Sequence, residues 1–145
     1  GLAAGADDIV LADTTGTATP LQVEDLLTEL KGRYPDIPFI LHIHDTRGMG
    51  LAGVQTALTL GISRFEAAIC GLGGCPFAPG AAGNIATEDL LNMLDKMGVR
   101  TGVDFVKVID AARFVEESLG IAAAGHMMRS AACRLGGPAG DRSQN

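Results

Sequence analysis

Residues able to do chemistry concentrate in two places. The run Phe39-Ile40-Leu41-His42-Ile43-His44-Asp45 sets two imidazoles at i and i+2 within an apolar stretch. On a strand that spacing aims both rings at one face. Thirty-one residues after His44 comes Cys75, inside Gly71-Leu-Gly-Gly-Cys75-Pro-Phe-Ala-Pro-Gly-Ala-Ala-Gly83-Asn84. Five glycines and two prolines in fourteen residues build a shaped loop, not a helix or an ordinary strand. The loop carries one thiol, Cys75, and one amide, Asn84. Two imidazoles, a thiol and an amide are the makings of a metal-centred active site, provided the fold gathers them.

Each residue also has a plainer reading. A lone His-x-His is common, its rings hydrogen-bonded to neighbouring backbone; yet an apolar strand gains nothing from two buried imidazoles unless they are paired. Asp45, next door, is placed to orient one ring. A cysteine by itself is more often packing than nucleophile, but glycine amides around an exposed thiol lower its pKa. Cys70 and Cys133 sit in apolar runs and read as structural. Asn84 alone reads as a turn or cap residue. Asp13 either caps the loop after it or faces a site. Glu66, a carboxylate inside a strand, must pair, reach solvent or work. The loop is neither a dinucleotide fingerprint, since proline stands at 76 where a third glycine is needed, nor a P-loop, which needs Gly-Lys-Ser/Thr.

The elements that must position these groups follow from periodicity. Strands are expected at 8–12, 39–44 and 64–69. Helices are expected at 20–34, capped by Thr19 with Pro20 in its first turn and with Leu21, Val23, Leu26, Leu27 and Leu30 as its stripe; at 49–60, stopped by Gly61; and at 87–97, 103–118 and 121–134. Strand starts near 8, 39 and 64 give a βαβαβ rhythm, hence a parallel sheet with right-handed crossovers. Asp13, His44 and Cys75 each follow a strand, at the carboxyl edge where such sheets do their chemistry. Residues 1–135 read as one domain and 136–145 as a flexible tail.

The chain has 145 residues and a net charge of −6, with a mean hydropathy of +0.25. That describes a buried globular body without the basic run that tracks nucleic acid. No apolar stretch reaches membrane-spanning length. Three cysteines at irregular spacing are not a disulfide framework, so a reducing, cytoplasmic compartment is expected. Gly1 to Asp7 reads like a helix end feeding a strand, as if the sequence began mid-domain.

Taken in order and spacing, His42-Ile-His44-Asp45-Thr46-Arg47-Gly48, Gly71-Leu-Gly-Gly-Cys75-Pro-Phe and Gly83-Asn84-x-Ala86-Thr87-Glu88-Asp89 resemble hydroxymethylglutaryl-CoA lyases. The resemblance runs from about Asp8 to at least Arg134 and takes in Thr101-Gly-Val-Asp104. It implies an α/β fold, the C-terminal part (about strands 6–8 plus C-terminal helices) of a TIM (β/α)8 barrel. It also implies retro-Claisen cleavage of hydroxymethylglutaryl-CoA to acetyl-CoA and acetoacetate. On that resemblance His42, His44 and Asn84 would ligate a divalent metal, Mg2+ or Mn2+. His42 would also accept or relay a proton, and Cys75 would transfer one near the thioester. Asp13, matching the acid of the family's Gly-Asp-Thr segment, would touch substrate or support the metal ligands.

Two departures stand out. Arg47 lies where the animal-type enzymes usually have tyrosine, which points to a substrate-binding role with a different 3-hydroxyacyl group. The Arg-Asp pair that the family's first strand supplies does not precede Asp13, so the expected piece carries three of four protein metal ligands and is expected to be inactive alone. The implied partner is an acyl-CoA thioester, and helices within 103–134 would support a homodimer or higher homo-oligomer. The rival readings are a related barrel aldolase or Claisen-type synthase, and a catalytically inert interaction module.

Overall fold

Thr19 opens the first helix with a reciprocal cap: its hydroxyl accepts from the Gln22 amide while the Gln22 side chain accepts from the Thr19 amide, and Pro20 takes the first helical position. In the computed structural model, which describes residues 5–74 and 83–130, this helix is α1 (Pro20–Arg33), between β1 (Ile9–Asp13) and β2 (Phe39–Ile43). Then come α2 (Gly50–Thr59), β3 (Phe65–Glu66), a 3-10 turn (Ile69–Gly71), α3 (Thr87–Lys96), α4 (Phe105–Leu119) and α5 (His126–Arg129).

The strands form one parallel sheet in the order β1-β2-β3. Alternation along β2 decides which side is which. Phe39, Leu41 and Ile43 are buried and share one core with Val23 and Leu27 of α1 and Val54 and Ala57 of α2. Burying one such side chain fully contributes about 1.5–3 kcal/mol, so this layer fixes the register. The same alternation puts Ile40 and His42 on the other face, where Val10 of β1 is 44% exposed. Among the described residues the sheet is therefore helix-covered on one side, and His42 stands on the more open one.

Three expectations need correction. Leu21 and Leu26 are largely exposed (71% and 47%), because Val23, Leu27 and Leu30 already complete the stripe that meets the sheet. The third strand stops at Glu66, short of residue 69. Ala68 leaves the sheet to pair with the 85–87 segment, donating to the Ile85 carbonyl and accepting from Thr87, and Cys70 then turns left-handed at φ +60. The last helix does not begin at 121. Gly120 closes α4 in a left-handed cap, and the chain runs back so that the Ala124 amide donates to the Cys70 carbonyl. Within the described residues only His126–Arg129 is helical there. Cys133 and the tail at 136–145 lie outside the described residues. Among those described, no helix is long and apolar enough to cross a membrane.

Candidate active site

His42 lies opposite Glu66 in the β2–β3 register. Its Nδ1 meets the Glu66 carboxylate at 2.8 Å, which answers what a strand carboxylate is doing there. Asp45 does not orient an imidazole. Its carboxylate accepts from the Gly50 amide at 2.7 Å and so caps the start of α2.

His44 follows one step beyond β2 on the face of His42, and the two rings lie 5.2 Å apart with planes tilted by 50°. It is only 6% exposed, and its Nδ1 is buried with no hydrogen-bond partner. Burial lowers its pKa first, and the neighbouring His42 lowers it further, against a smaller opposing pull from Asp13. His44 is thus held as a neutral imidazole, the form a metal requires.

Asn84 arrives by backbone pairing. It forms an antiparallel bridge with His44, flanked by bonds from the Asp45 amide to the Gly83 carbonyl and from the Ile85 amide to the Ile43 carbonyl. Its side-chain nitrogen donates to the Leu72 carbonyl at 2.7 Å, fixing the amide's rotation. Two glycines make this convergence sterically feasible. A Cβ at Gly83 would stand 2.1 Å from the carbonyl oxygens of Gly71 and Gly73, and one at Gly73 would stand 2.7 Å from the Asn84 amide nitrogen. The structure therefore gathers His42, His44 and Asn84 at one strand end. Cys75 lies outside the described residues.

The other candidates are placed differently. Asp13 accepts from the Ala18 amide at 2.9 Å and the Thr17 amide at 3.3 Å, organising the loop after β1. Arg47 is exposed in the turn after β2. Cys70 is 1% exposed, its thiol directed at the Ala112 carbonyl. Burial first, then the charges of Glu88 and Glu116, push that thiol up to about 11, as suits a structural cysteine.

Two carboxylates carry more than their positions suggest. Glu88 and Asp89 open α3 and look like ordinary first-turn acids. Glu88 is fully buried. One oxygen accepts from the Cys70 amide at 3.2 Å, the other has no partner, and desolvation raises its pKa. Asp89 accepts from the amides of His126 and Met127 and so anchors α5. Only the short polar-to-apolar change at Asp89-Leu90 marks these acids as buried, and nothing local names their partners.

As a donor set, two neighbouring imidazoles, one with an orphaned buried nitrogen, and an adjacent amide fit part of a divalent-cation site. Among the described residues no three His, Cys, Asp or Glu side chains cluster as an ion would require, so any further ligands must come from outside that set.

A parallel sheet flanked by crossover helices, with polar groups at its carboxyl edge, defines an α/β domain of the barrel or open-sheet kind. The chain belongs to the HMGL-like family, whose model matches residues 2–115. It is 47% identical over 116 residues to a hydroxymethylglutaryl-CoA lyase of Bacillus subtilis, a match covering 80% of this chain and 39% of that protein. It is also 47% identical over 116 residues to the (R)-citramalyl-CoA lyase of Chloroflexus aurantiacus, covering 80% and 37%. Among solved structures, an HMG-CoA lyase of Acinetobacter baumannii in complex with coenzyme A and 3-methylmalate superposes with a TM-score of 0.84 at 43% identity, covering 90% of this chain and 43% of that one. The chain spans about two fifths of the length of the relatives it matches.

Proposed function

We propose that the chain forms strands six to eight and the C-terminal helices of a barrel lyase that cleaves a 3-hydroxyacyl-CoA to acetyl-CoA and a keto acid. The observation that carries this reading is the His44–Asn84 bridge, which sets an amide beside a neutral, orphaned imidazole and its partner ring. A parallel sheet is ordinarily covered on both faces. One covered on a single side, with His42 on the other, suits a segment whose inner face other strands complete.

In this reading His42, His44 and Asn84 hold a divalent cation. When bound, that ion supplies electrostatic polarisation of the substrate's hydroxyl and carbonyl oxygens. His42 has Nε2 left after Glu66 takes Nδ1, and that nitrogen would face the cation. Burial keeps His44 neutral and ready to ligate. The bond to Leu72 holds the Asn84 nitrogen away, leaving its carbonyl oxygen as the donor. The Cys75 thiol protonates the departing acetyl-CoA enolate at carbon. Exposed Arg47 offers a cation to the carboxylate of the acyl group. Equal identity to a hydroxymethylglutaryl-CoA lyase and a citramalyl-CoA lyase leaves both acyl groups as substrates to test. Along α4, exposed Val106 and Phe114 (57% and 70%) support self-association of the parent.

The test joins this chain to the N-terminal strands of the Bacillus subtilis relative and follows acetyl-CoA release from each thioester with Mg2+ or Mn2+. Cleavage abolished by His42→Ala and by Asn84→Ala, and slowed by Cys75→Ala, supports the reading. Cleavage indifferent to His42→Ala refutes it.

A further inference from the structure

We propose that Glu66 is a positioning residue: it holds His42 as the Nδ1–H tautomer and turns Nε2 toward a cation on the open face of the sheet. The inference rests on the metal-site reading above and adds a residue to it.

Glu66 occupies the β3 position in register with His42, and the carboxylate lies 2.8 Å from Nδ1. A carboxylate can only accept, so the nitrogen facing it carries the proton and the other nitrogen is left with its lone pair. Stability does not account for the pairing. The two side chains are 26% and 49% exposed, and ion pairs that open to water contribute little.

His44 is fixed by burial, at 6% exposure. His42 has no such enclosure, and a partly exposed imidazole without a partner is free to flip its ring and exchange its two nitrogens. The nearby acids are engaged elsewhere, Asp45 at the Gly50 amide and Asp13 at the amides of Thr17 and Ala18. Glu66 is the carboxylate placed to prevent the flip. A strand of two residues has little other use for a glutamate, a residue depleted in strands.

Two measurements on the full chain decide it. Nitrogen-15 imidazole spectra, recorded near pH 8 where an ordinary histidine is neutral, read the tautomer without any metal. His42 is expected as Nδ1–H in the wild type and in Glu66→Gln, whose amide oxygen still accepts, and as a mixture or Nε2–H in Glu66→Ala. Calorimetric titration with Mn2+ is expected to show affinity falling roughly 10–100-fold in Glu66→Ala, with Glu66→Gln recovering most of it. Circular dichroism confirms that the variants fold. An Nε2–H wild-type His42, a tautomer unmoved by Glu66→Ala, or Mn2+ affinity unmoved by Glu66→Ala overturns the proposal with the metal site intact. A wild-type chain with the expected tautomer but no Mn2+ binding, alone and when joined to the N-terminal strands of the Bacillus subtilis relative, overturns the metal-site reading, and with it the part of this inference that concerns a cation.

Discussion

Among the described residues Glu88 is the most buried carboxylate. It is fully buried, accepts from the Cys70 amide at 3.2 Å and leaves its second oxygen without a partner. Truncation in Glu88→Ala would orphan the Cys70 amide, at about 1–3 kcal/mol, and remove a buried methylene, at about 0.8 kcal/mol. The sum, about 2–4 kcal/mol, is roughly 6–14 °C in Tm for a domain of this size. Glu88→Gln keeps an acceptor for Cys70 and should stay within about 1 kcal/mol of the wild type near neutral pH. The pH dependence separates these cases. Burial holds the folded carboxyl above its ordinary 4.5, so the native state binds the proton that the unfolded chain releases. Its contribution is complete below 4.5 and is lost as pH rises through the folded value. Gln does not titrate, and the other carboxylates cancel in the comparison. The Tm of the wild type relative to Glu88→Gln should therefore fall as pH rises from 4.5, measured by circular dichroism melts of both proteins. A Gln variant as unstable as the Ala variant, or a gap moving in favour of the wild type with rising pH, would mean that Glu88 does not act as a buried, protonated acceptor for Cys70.

Gly83→Ala should abolish Mn2+ binding and lower Tm by more than any surface substitution, because its Cβ would stand 2.1 Å from two backbone carbonyls; calorimetry and melts check both. Cys70, with its thiol pushed up to about 11, should resist iodoacetamide at pH 8 in peptide-mapping experiments. Since its folded pKa is raised from 9.0, its contribution to stability should be present below pH 9 and decline as pH climbs toward 11; labelling at pH 8 as fast as a free thiol would contradict this. Asp13→Ala should cost about 1 kcal/mol by freeing the Ala18 amide while leaving Mn2+ affinity within about twofold, a modest change for a residue that holds a loop.

The path from sequence to structure was clearest where local chemistry decides. The Thr19 cap, Pro20 and the alternation along Phe39–Ile43 specify an edge, a start and a face within a few residues of chain, and the parallel sheet follows from their spacing. The imidazole pair was visible for the same reason, because a period of two is a backbone property. Partnerships across the sequence were not. Nothing near Glu66 says that residue 42 will lie beside it, and Asp45 was the obvious but mistaken candidate. The third strand ends early because Ala68 pairs with the 85–87 segment, and Cys70 then turns left-handed against Glu88 and Ala112. The segment after Gly120 reads as helix by composition, yet Asp89 and the Cys70 carbonyl capture its amides first.

In the proposed site His42 and His44 bind one cation beside Asn84. Pulsed electron paramagnetic resonance of Mn2+ added to the full chain reads that directly through the imidazole nitrogens. Coupling to two imidazoles, reduced to one in His42→Ala and in His44→Ala and lost in the double variant, is the predicted result. Bound Mn2+ without imidazole coupling, or coupling unchanged by either substitution, would contradict it.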